Sequence, residues 1–192
     1  MISEKENLFR ALASVPIECG AFKANIIPTE KIETDRAFRD MCAMNSCGVY
    51  GKCWMCPPDV GDIDVLMGEV RKYQFALVYQ TVSELEDSFD FEGMTAAKKS
   101  SYKTQQNIRR EFEKFGLEKV LYLGSGGCGV CERCSKRDGE PCRFPELATP
   151  SLEAYGINVS QLAKAADMKY INGQDTVTYF GAVLFCVDGE EI

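Results

Sequence analysis

The chain has 192 residues, of which 45% are apolar, so it is long enough to bury a core, and we expect one metal-binding domain over residues 1–192. Its formal net charge of −7 argues against a nucleic-acid partner, because a phosphate backbone binds basic surfaces. The absence of histidine excludes mixed Cys/His zinc fingers, Rieske centres and histidine acid–base catalysis.

The first fifteen residues, MISEKENLFRALASV, predict an amphipathic helix that begins with a capping box between Ser3 and Glu6. They lack the basic start and unbroken apolar run of a signal peptide, and no later stretch reaches membrane-spanning length. We therefore expect a cytoplasmic protein with no membrane partner. In that reducing compartment, metal binding explains ten cysteines better than disulfides do.

Strand and helix patterns alternate along the rest of the chain. Continuous or alternating apolar residues predict strands at 21–27, 74–82, 119–124 and 176–187. Amphipathic patterns predict helices at 29–41, 62–73, 95–115 and 160–168. This alternation predicts an α/β fold, in which a small mixed sheet is sandwiched by helices and carries two cysteine-rich, cluster-binding loops.

The first cysteine group lies in residues 42–58, CAMNSCGVYGKCWMCPP, with the spacing C-x4-C-x5-C-x2-C. Four thiolates are enough to hold one 4Fe–4S cluster, and zinc is the alternative. The looser spacing also allows a site of three cysteines with the fourth iron position open. The candidate ligands are Cys42, Cys47, Cys53 and Cys56, and the three-cysteine version omits Cys53.

The second cysteine group lies in residues 127–145, GCGVCERCSKRDGEPCRFP. Its run C-x2-C-x2-C is the ferredoxin-type signature of a 4Fe–4S cluster, whereas zinc more often uses two separated pairs of cysteines. A fourth cysteine follows after seven residues. The candidate ligands are Cys128, Cys131, Cys134 and Cys142.

Glycines precede and interrupt the second group. Because they have no side chain, they let the backbone approach a cluster and point amide N–H groups at its sulfur atoms. We therefore predict cofactor contacts at Gly126, Gly127 and Gly129, and we expect Lys136 and Arg137 to offset negative charge. The same segment, GSGGCG, matches the dinucleotide fingerprint G-x-G-x-x-G, but no apolar helix follows it, which disfavours nucleotide binding.

The sequence does not assign every cysteine to a cluster. In two-cluster ferredoxins the last cysteine of one motif ligates the other cluster, so the assignment of Cys56 and Cys142 to particular clusters is open. Cys19 and Cys186 stand alone in or beside apolar segments, and we expect them to be buried thiols with no ligand role.

Three motifs, CGVYGKCWMCPP, LGSGGCGVCERC and PCRFPELATPSLEAYGINV, resemble those of a family of predicted metal-binding proteins, domain of unknown function 2284. The resemblance spans residues 20–187 and implies metal binding, with no established reaction. It implies seven ligands and leaves Cys53 out: Cys42, Cys47, Cys56, Cys128, Cys131, Cys134 and Cys142. The segment 150–159, PSLEAYGINV, is interpreted either as a cap over the second cluster or as a partner surface.

The leading hypothesis is an iron–sulfur protein with two 4Fe–4S clusters that carries single electrons in an anaerobic reductive pathway and meets a redox partner protein. The second hypothesis is an enzyme in which an open iron of one cluster acts on a small substrate. The third is a zinc-stabilised adaptor that binds proteins. The sequence therefore leaves open whether the protein is an enzyme, and it gives no indication of oligomeric state.

Overall fold

Four strands form one sheet in the computed structural model of the chain, which describes residues 4–187. The strands are β1 (Lys23–Pro28), β2 (Phe75–Glu84), β3 (Val120–Leu123) and β4 (Thr176–Phe185). Their order is β1-β2-β4-β3, and each neighbouring pair is antiparallel. The α/β architecture is therefore confirmed, but the sheet is antiparallel where the sequence predicted a mixed one. Within residues 4–187, parallel pairing is confined to an isolated bridge between Gly124 and Ser151.

Five α-helices lie between and before these strands in the described part of the chain. They are α1 (Glu4–Glu18), α2 (Ala37–Ala43), α3 (Ile63–Val70), α4 (Phe91–Glu113) and α5 (Val159–Ala165). Within residues 4–187, no helix combines the length and the apolar character needed to cross a membrane. The predicted capping box at Ser3 lies outside the described residues.

The predicted helix at 29–41 is shorter in the structure. A single 3₁₀ turn occupies Thr29–Lys31, and α2 begins only at Ala37. Between them the chain is extended, because Thr34 forms a β-bridge with Ile157 from a distant segment. A non-local backbone contact thus overrides the local helical pattern.

Helices cover both faces of the sheet. On one face, α1 and α4 pack Leu12, Ile108 and Phe112 against Leu77 and Phe185 of the central strands. On the other face, the apolar residues of α3 and α5 pack against the strand residues that point the opposite way. β2 is buried along most of its length, which is why its sequence is a continuous apolar run. Both cysteine groups lie outside this core, one between β1 and β2 and the other after β3.

Candidate metal centre

The segment that follows the second cysteine group returns to the end of β3. Gly124 N–H donates to Pro150 O at 2.9 Å, and Leu152 N–H donates to Gly124 O at the same distance. These two bonds form the parallel bridge between Gly124 and Ser151. They close the base of the second cysteine loop and place residues 151–153 beside the glycines that precede it.

The same returning segment also fixes the start of the first cysteine group. Asp35 N–H donates to Gly156 O at 2.7 Å, and Asn158 N–H donates to Glu33 O at 3.0 Å. From α2, Arg39 Nη2 donates to Ala154 O at 3.3 Å. Since α2 carries the first cysteine of its group, these contacts bring two segments that are more than a hundred residues apart in sequence to one place.

A cavity of about 260 Å³ opens where these segments meet, and we call it the first cavity. Three cysteines of the first group line it, namely Cys42, Cys47 and Cys56. The rest of its lining is largely apolar, with backbone from Gly126 and Gly127. Two polar side chains also line it from the returning segment, Ser151 and Glu153.

A second, nearly filled cavity lies under the second cysteine loop. Its free volume is about 10 Å³, close to the space that one water molecule needs. Five cysteines line this second cavity: Cys53, Cys128, Cys131, Cys134 and Cys142. The structure therefore brings the four predicted ligands of the second group together, and it adds Cys53 to them. The eight cysteines, which form two groups of four in the sequence, therefore line the two cavities as three and five.

Cys53 and Cys56 connect the two cavities. Their side chains are only 3% and 6% exposed, and their sulfur atoms are hydrogen bonded to each other. That bond lowers the pKa of Cys53 to about 6 and raises the pKa of Cys56, because one sulfur stabilises negative charge on the other. Cys53 lines only the second cavity and Cys56 only the first, so this pair is the point where the two cavities meet.

Backbone amides point at two of the sulfur atoms. Cys53 accepts from the N–H groups of Met55 and Cys128. Cys128 accepts from those of Val130 and Thr149, although burial is the larger influence and raises the pKa of its thiol. N–H donors of this kind stabilise thiolates and tune the potentials of iron–sulfur clusters.

The predicted cofactor glycines allow close approach, and Gly129 has the tightest surroundings. A Cβ atom at Gly129 would lie 2.2 Å from Cδ2 of Tyr102, and one at Gly127 would lie 3.6 Å from Sγ of Cys56. Gly126 has a φ of 67°, in the left-handed region that favours glycine. The Tyr102 hydroxyl donates to Gly127 O, which fixes this tyrosine of α4 against the glycine loop.

Trp54 joins the two cysteine loops on their outer side. Its Nε1–H donates to Glu140 O at 2.9 Å, and Lys136 Nζ lies 4.1 Å from the centroid of its ring. Lys136 also forms an ion pair with Asp59, and their side chains are 23% and 19% exposed. The positive charge of Lys136, which was predicted to offset cluster charge, is therefore paired with the carboxylate of Asp59.

The donor chemistry of the two cavities fits soft metals. All ten cysteines are free thiols, and eight of them line one cavity or the other. Two buried side-chain nitrogens also lack an acceptor within residues 4–187, namely Arg39 Nε and Gln105 Nε2. Burial raises the pKa of the Cys42 thiol, and the nearby charge of Arg39 opposes that shift only in part. Gln105 lines a small pocket together with Cys128. Each cysteine group thus has an unused N–H donor nearby.

The donors do not converge on a single point. Nowhere in the described range do three His, Cys, Asp or Glu side chains stand where one metal ion could bind them all. In the first cavity the thiols instead surround a space of about 260 Å³. Cys19 and Cys186 line neither cavity; both are half-buried and pack against the two apolar clusters of the sheet.

Glu153 is the site residue that the sequence analysis did not single out. It is half-buried, and burial raises the pKa of its carboxyl group. The pKa of Cys42 is raised by burial and next by the negative charge of Glu153. The signal was present in the motif PSLEAYGINV, whose only acidic residue is Glu153, but the sequence could not show that this motif reaches the first cavity.

Comparison with known protein families shows which family the chain matches. The family model described as predicted metal-binding protein (DUF2284) matches residues 25–185, a range that includes both cysteine groups and Glu153. Searches of curated proteins and of solved structures gave no match. The resemblance inferred from the three motifs is confirmed, and the chain belongs to the DUF2284 family of predicted metal-binding proteins.

Proposed function

We propose that this protein binds two 4Fe–4S clusters, one at each cavity, and transfers single electrons between redox partners in an anaerobic reductive pathway of the cytoplasm. The observation that carries the proposal is the pair of adjacent cavities, lined by three and five free cysteines. Such clusters are held by cysteine thiolates and supply one-electron chemistry when bound. The proposed ligands are the three cysteines of the first cavity and four of the five at the second, where Cys53 stands as a fifth thiol beside the second cysteine group.

The size of the first cavity favours a cluster over one zinc ion. Zinc draws four donors to about 2.0–2.3 Å from one point, which leaves no free space among them. Cys42, Cys47 and Cys56 instead line a space of about 260 Å³. A four-iron cluster is larger and binds one thiolate at each iron, so separated thiols suit it better than they suit a single ion. At the second cavity, whose free volume is about 10 Å³, a cluster is proposed from the C-x2-C-x2-C run of cysteines instead.

Hydrogen bonding at sulfur supports the same assignment. Cys53 and Cys128 each accept two backbone N–H groups, and Arg39 and Gln105 each hold a buried, unpaired N–H beside a cysteine group. Iron–sulfur sites use N–H donors to stabilise the negative charge of the thiolates and inorganic sulfides. The protein itself therefore places N–H donors near the cysteines of both cavities.

The contact between the cavities supports electron transfer. Electron tunnelling weakens steeply with distance, so two redox centres that exchange electrons need to be close neighbours. Cys53 and Cys56 are hydrogen bonded to each other and face different cavities. Clusters bound at the two cavities would therefore be separated by little more than this pair of side chains.

A second candidate function is favoured by one specific observation. The first cavity has three cysteines rather than four, as expected if one iron of its cluster stays open to a small substrate. In that case the protein is an enzyme. The two functions differ in whether a protein side chain completes the coordination of the first cluster.

Metal analysis of anaerobically purified protein tests the proposal. We expect about eight irons and about eight acid-labile sulfides per chain, since each 4Fe–4S cluster holds four of each. Cys134→Ser should lower the iron content to about half, because it removes a ligand of the second cluster alone. A colourless protein with one or two zinc ions per chain would instead support the zinc-stabilised adaptor.

Cys19→Ser is the matched control for the ligand variant. Cys19 is half-buried like Cys134 but lines neither cavity. Its substitution should leave the iron content at the wild-type value. Equal losses of iron in both variants would show that iron content reports general stability, and the cavity assignment would then be wrong.

A further inference from the structure

The first cavity has a single charged side chain among its lining residues, and that side chain is Glu153. The other donors at this cavity are the three thiols of the first group, two serine hydroxyls and the phenol of Tyr50. A tetrahedral or cubane centre that uses Cys42, Cys47 and Cys56 lacks one ligand. Glu153 supplies the one carboxylate at the cavity, and unlike a phenol or a serine hydroxyl a carboxylate is ordinarily ionised at neutral pH.

The local structure holds Glu153 in place. It begins a 3₁₀ turn, Glu153–Tyr155, directly after the bridge that ties Leu152 to Gly124. The Ser151 side chain is hydrogen bonded to the carboxylate of Glu153, and Ser151 Oγ accepts the N–H of Ala154 at 3.1 Å. A carboxylate positioned by a serine and a fixed backbone turn is prepared for a directed contact.

Glu153 lacks a cation that would compensate its charge. In residues 4–187 no lysine or arginine forms an ion pair with it. Arg39, whose charge like that of Glu153 acts on Cys42, donates to the backbone carbonyls of Gly61 and Ala154. Three thiolates and a carboxylate at this cavity would carry an excess of negative charge, and a bound metal centre would compensate it.

We propose that Glu153 is the fourth protein ligand of the cluster at the first cavity, bound through a carboxylate oxygen to the iron that no cysteine reaches. This inference rests on the proposed function, because it presumes a four-iron cluster held by Cys42, Cys47 and Cys56. It gives the chain eight ligands for eight irons without Cys53, which lines the second cavity. It also closes the open position on which the enzymatic alternative depends.

An iron held by oxygen differs from its three neighbours held by sulfur. Carboxylate is a harder ligand than thiolate, so this iron is the one expected to leave when the cluster is oxidised. One-electron oxidation by ferricyanide converts [4Fe–4S]²⁺ to [4Fe–4S]³⁺ and yields ferrocyanide. Release of Fe²⁺ then leaves [3Fe–4S]⁺, which has a characteristic electron paramagnetic resonance signal and can be counted.

The experiment compares anaerobic wild-type protein with Glu153→Gln and Glu153→Cys, with one equivalent of ferricyanide per chain. Glu153→Gln removes the anionic oxygen and should release iron roughly tenfold faster or more, on the scale of ligand-shell substitutions. Glu153→Cys supplies a thiolate and should release iron more slowly than wild type. Glu132→Gln is the control, because Glu132 is exposed in the second cysteine loop and lines neither cavity. It should match wild type.

The outcomes separate this inference from the proposed function. If wild type contains about eight irons and both Glu153 variants release iron at the wild-type rate, the inference is overturned and the two-cluster assignment stands. If wild type contains zinc, or iron for one cluster only, the proposed function itself fails. Should Glu153→Gln not fold, Glu153→Cys decides alone: slower release supports the inference, and an unchanged rate overturns it.

Discussion

Gly129→Ala is a small change with a large expected effect, because the side chain would enter occupied space. The new Cβ would lie 2.2 Å, 2.4 Å and 2.5 Å from three ring atoms of Tyr102. These atoms belong to the base and edge of the ring, which the bond from the hydroxyl to Gly127 O holds against the loop. Either Tyr102 leaves its position or the segment that carries Cys128 moves outward.

The magnitude follows from the two contacts that are disturbed. Overpacking of a filled region costs about 1–3 kcal/mol, and loss of the hydrogen bond to Gly127 adds about 1 kcal/mol. A loss of about 2–4 kcal/mol corresponds to a melting temperature lower by roughly 4–16 °C for a chain of this size. Displacement of Cys128 should also remove the second cluster, so iron should fall to about half.

Thermal unfolding under anaerobic conditions, followed by circular dichroism, measures the first effect, and iron analysis measures the second. The matched control is Gly68→Ala, since an added Cβ there meets nothing within 4 Å and Gly68 lies in α3. Alanine in a helix is favoured by about 0.5–1 kcal/mol, so this control should melt at or slightly above the wild-type temperature. Wild-type stability and iron content in Gly129→Ala would refute the packing argument.

Three further predictions concern the surroundings of the site. Lys136→Met should lower the free energy of unfolding by about 1–2 kcal/mol, because it leaves the carboxylate of Asp59 unpaired. The control Lys114→Met breaks a more exposed ion pair with Glu111 and should lower it by less than about 0.5 kcal/mol. Equal effects in denaturant titrations would contradict this ranking. Leu162→Ala empties a fully buried position of α5 and should cost about 2–5 kcal/mol in the same titrations; a cost below about 1 kcal/mol would show that α5 is not part of the core. Cys186→Ser should leave iron per chain unchanged, and a loss of iron would make Cys186 a ligand.

Much of the fold could be predicted from local pattern. The segment 74–82 is a continuous apolar run, and the structure places β2 at Phe75–Glu84, because a strand buried on both faces needs no polar alternation. The direction of the strands could not be predicted in this way. Helices between strands led to the prediction of a mixed sheet, but long connections are compatible with either strand direction, and the pairing between distant strands decides it.

The cysteine spacings predicted that the thiols gather in two groups, but the spacing alone could not divide them between the two cavities. Cys53 and Cys56 are separated by two residues, and Cys56 N–H donates to Cys53 O at 3.0 Å in a tight turn. This turn lets neighbouring thiols line different cavities, with Cys53 beside the second cysteine group. The cavity to which a thiol belongs depends on a distant segment that folds against it.

The cavity that Glu153 lines also could not be predicted from the sequence. One of the two interpretations of its motif was a cap over the second cluster, yet Ser151 and Glu153 line the first cavity. The reason is the parallel bridge between Gly124 and Ser151, together with the contacts that join residues 156–158 to residues 33–35. Such pairings between backbone segments leave no periodic signal in the sequence.

Mössbauer spectroscopy of ⁵⁷Fe-grown protein, purified without oxygen, tests the central claim most directly, because it identifies the type and number of iron centres together. The account predicts about eight irons per chain in two four-iron clusters, with one iron of one cluster distinguishable from its sulfur-ligated neighbours. Protein that carries stoichiometric zinc and no iron, or iron bound only as single ions, would contradict it.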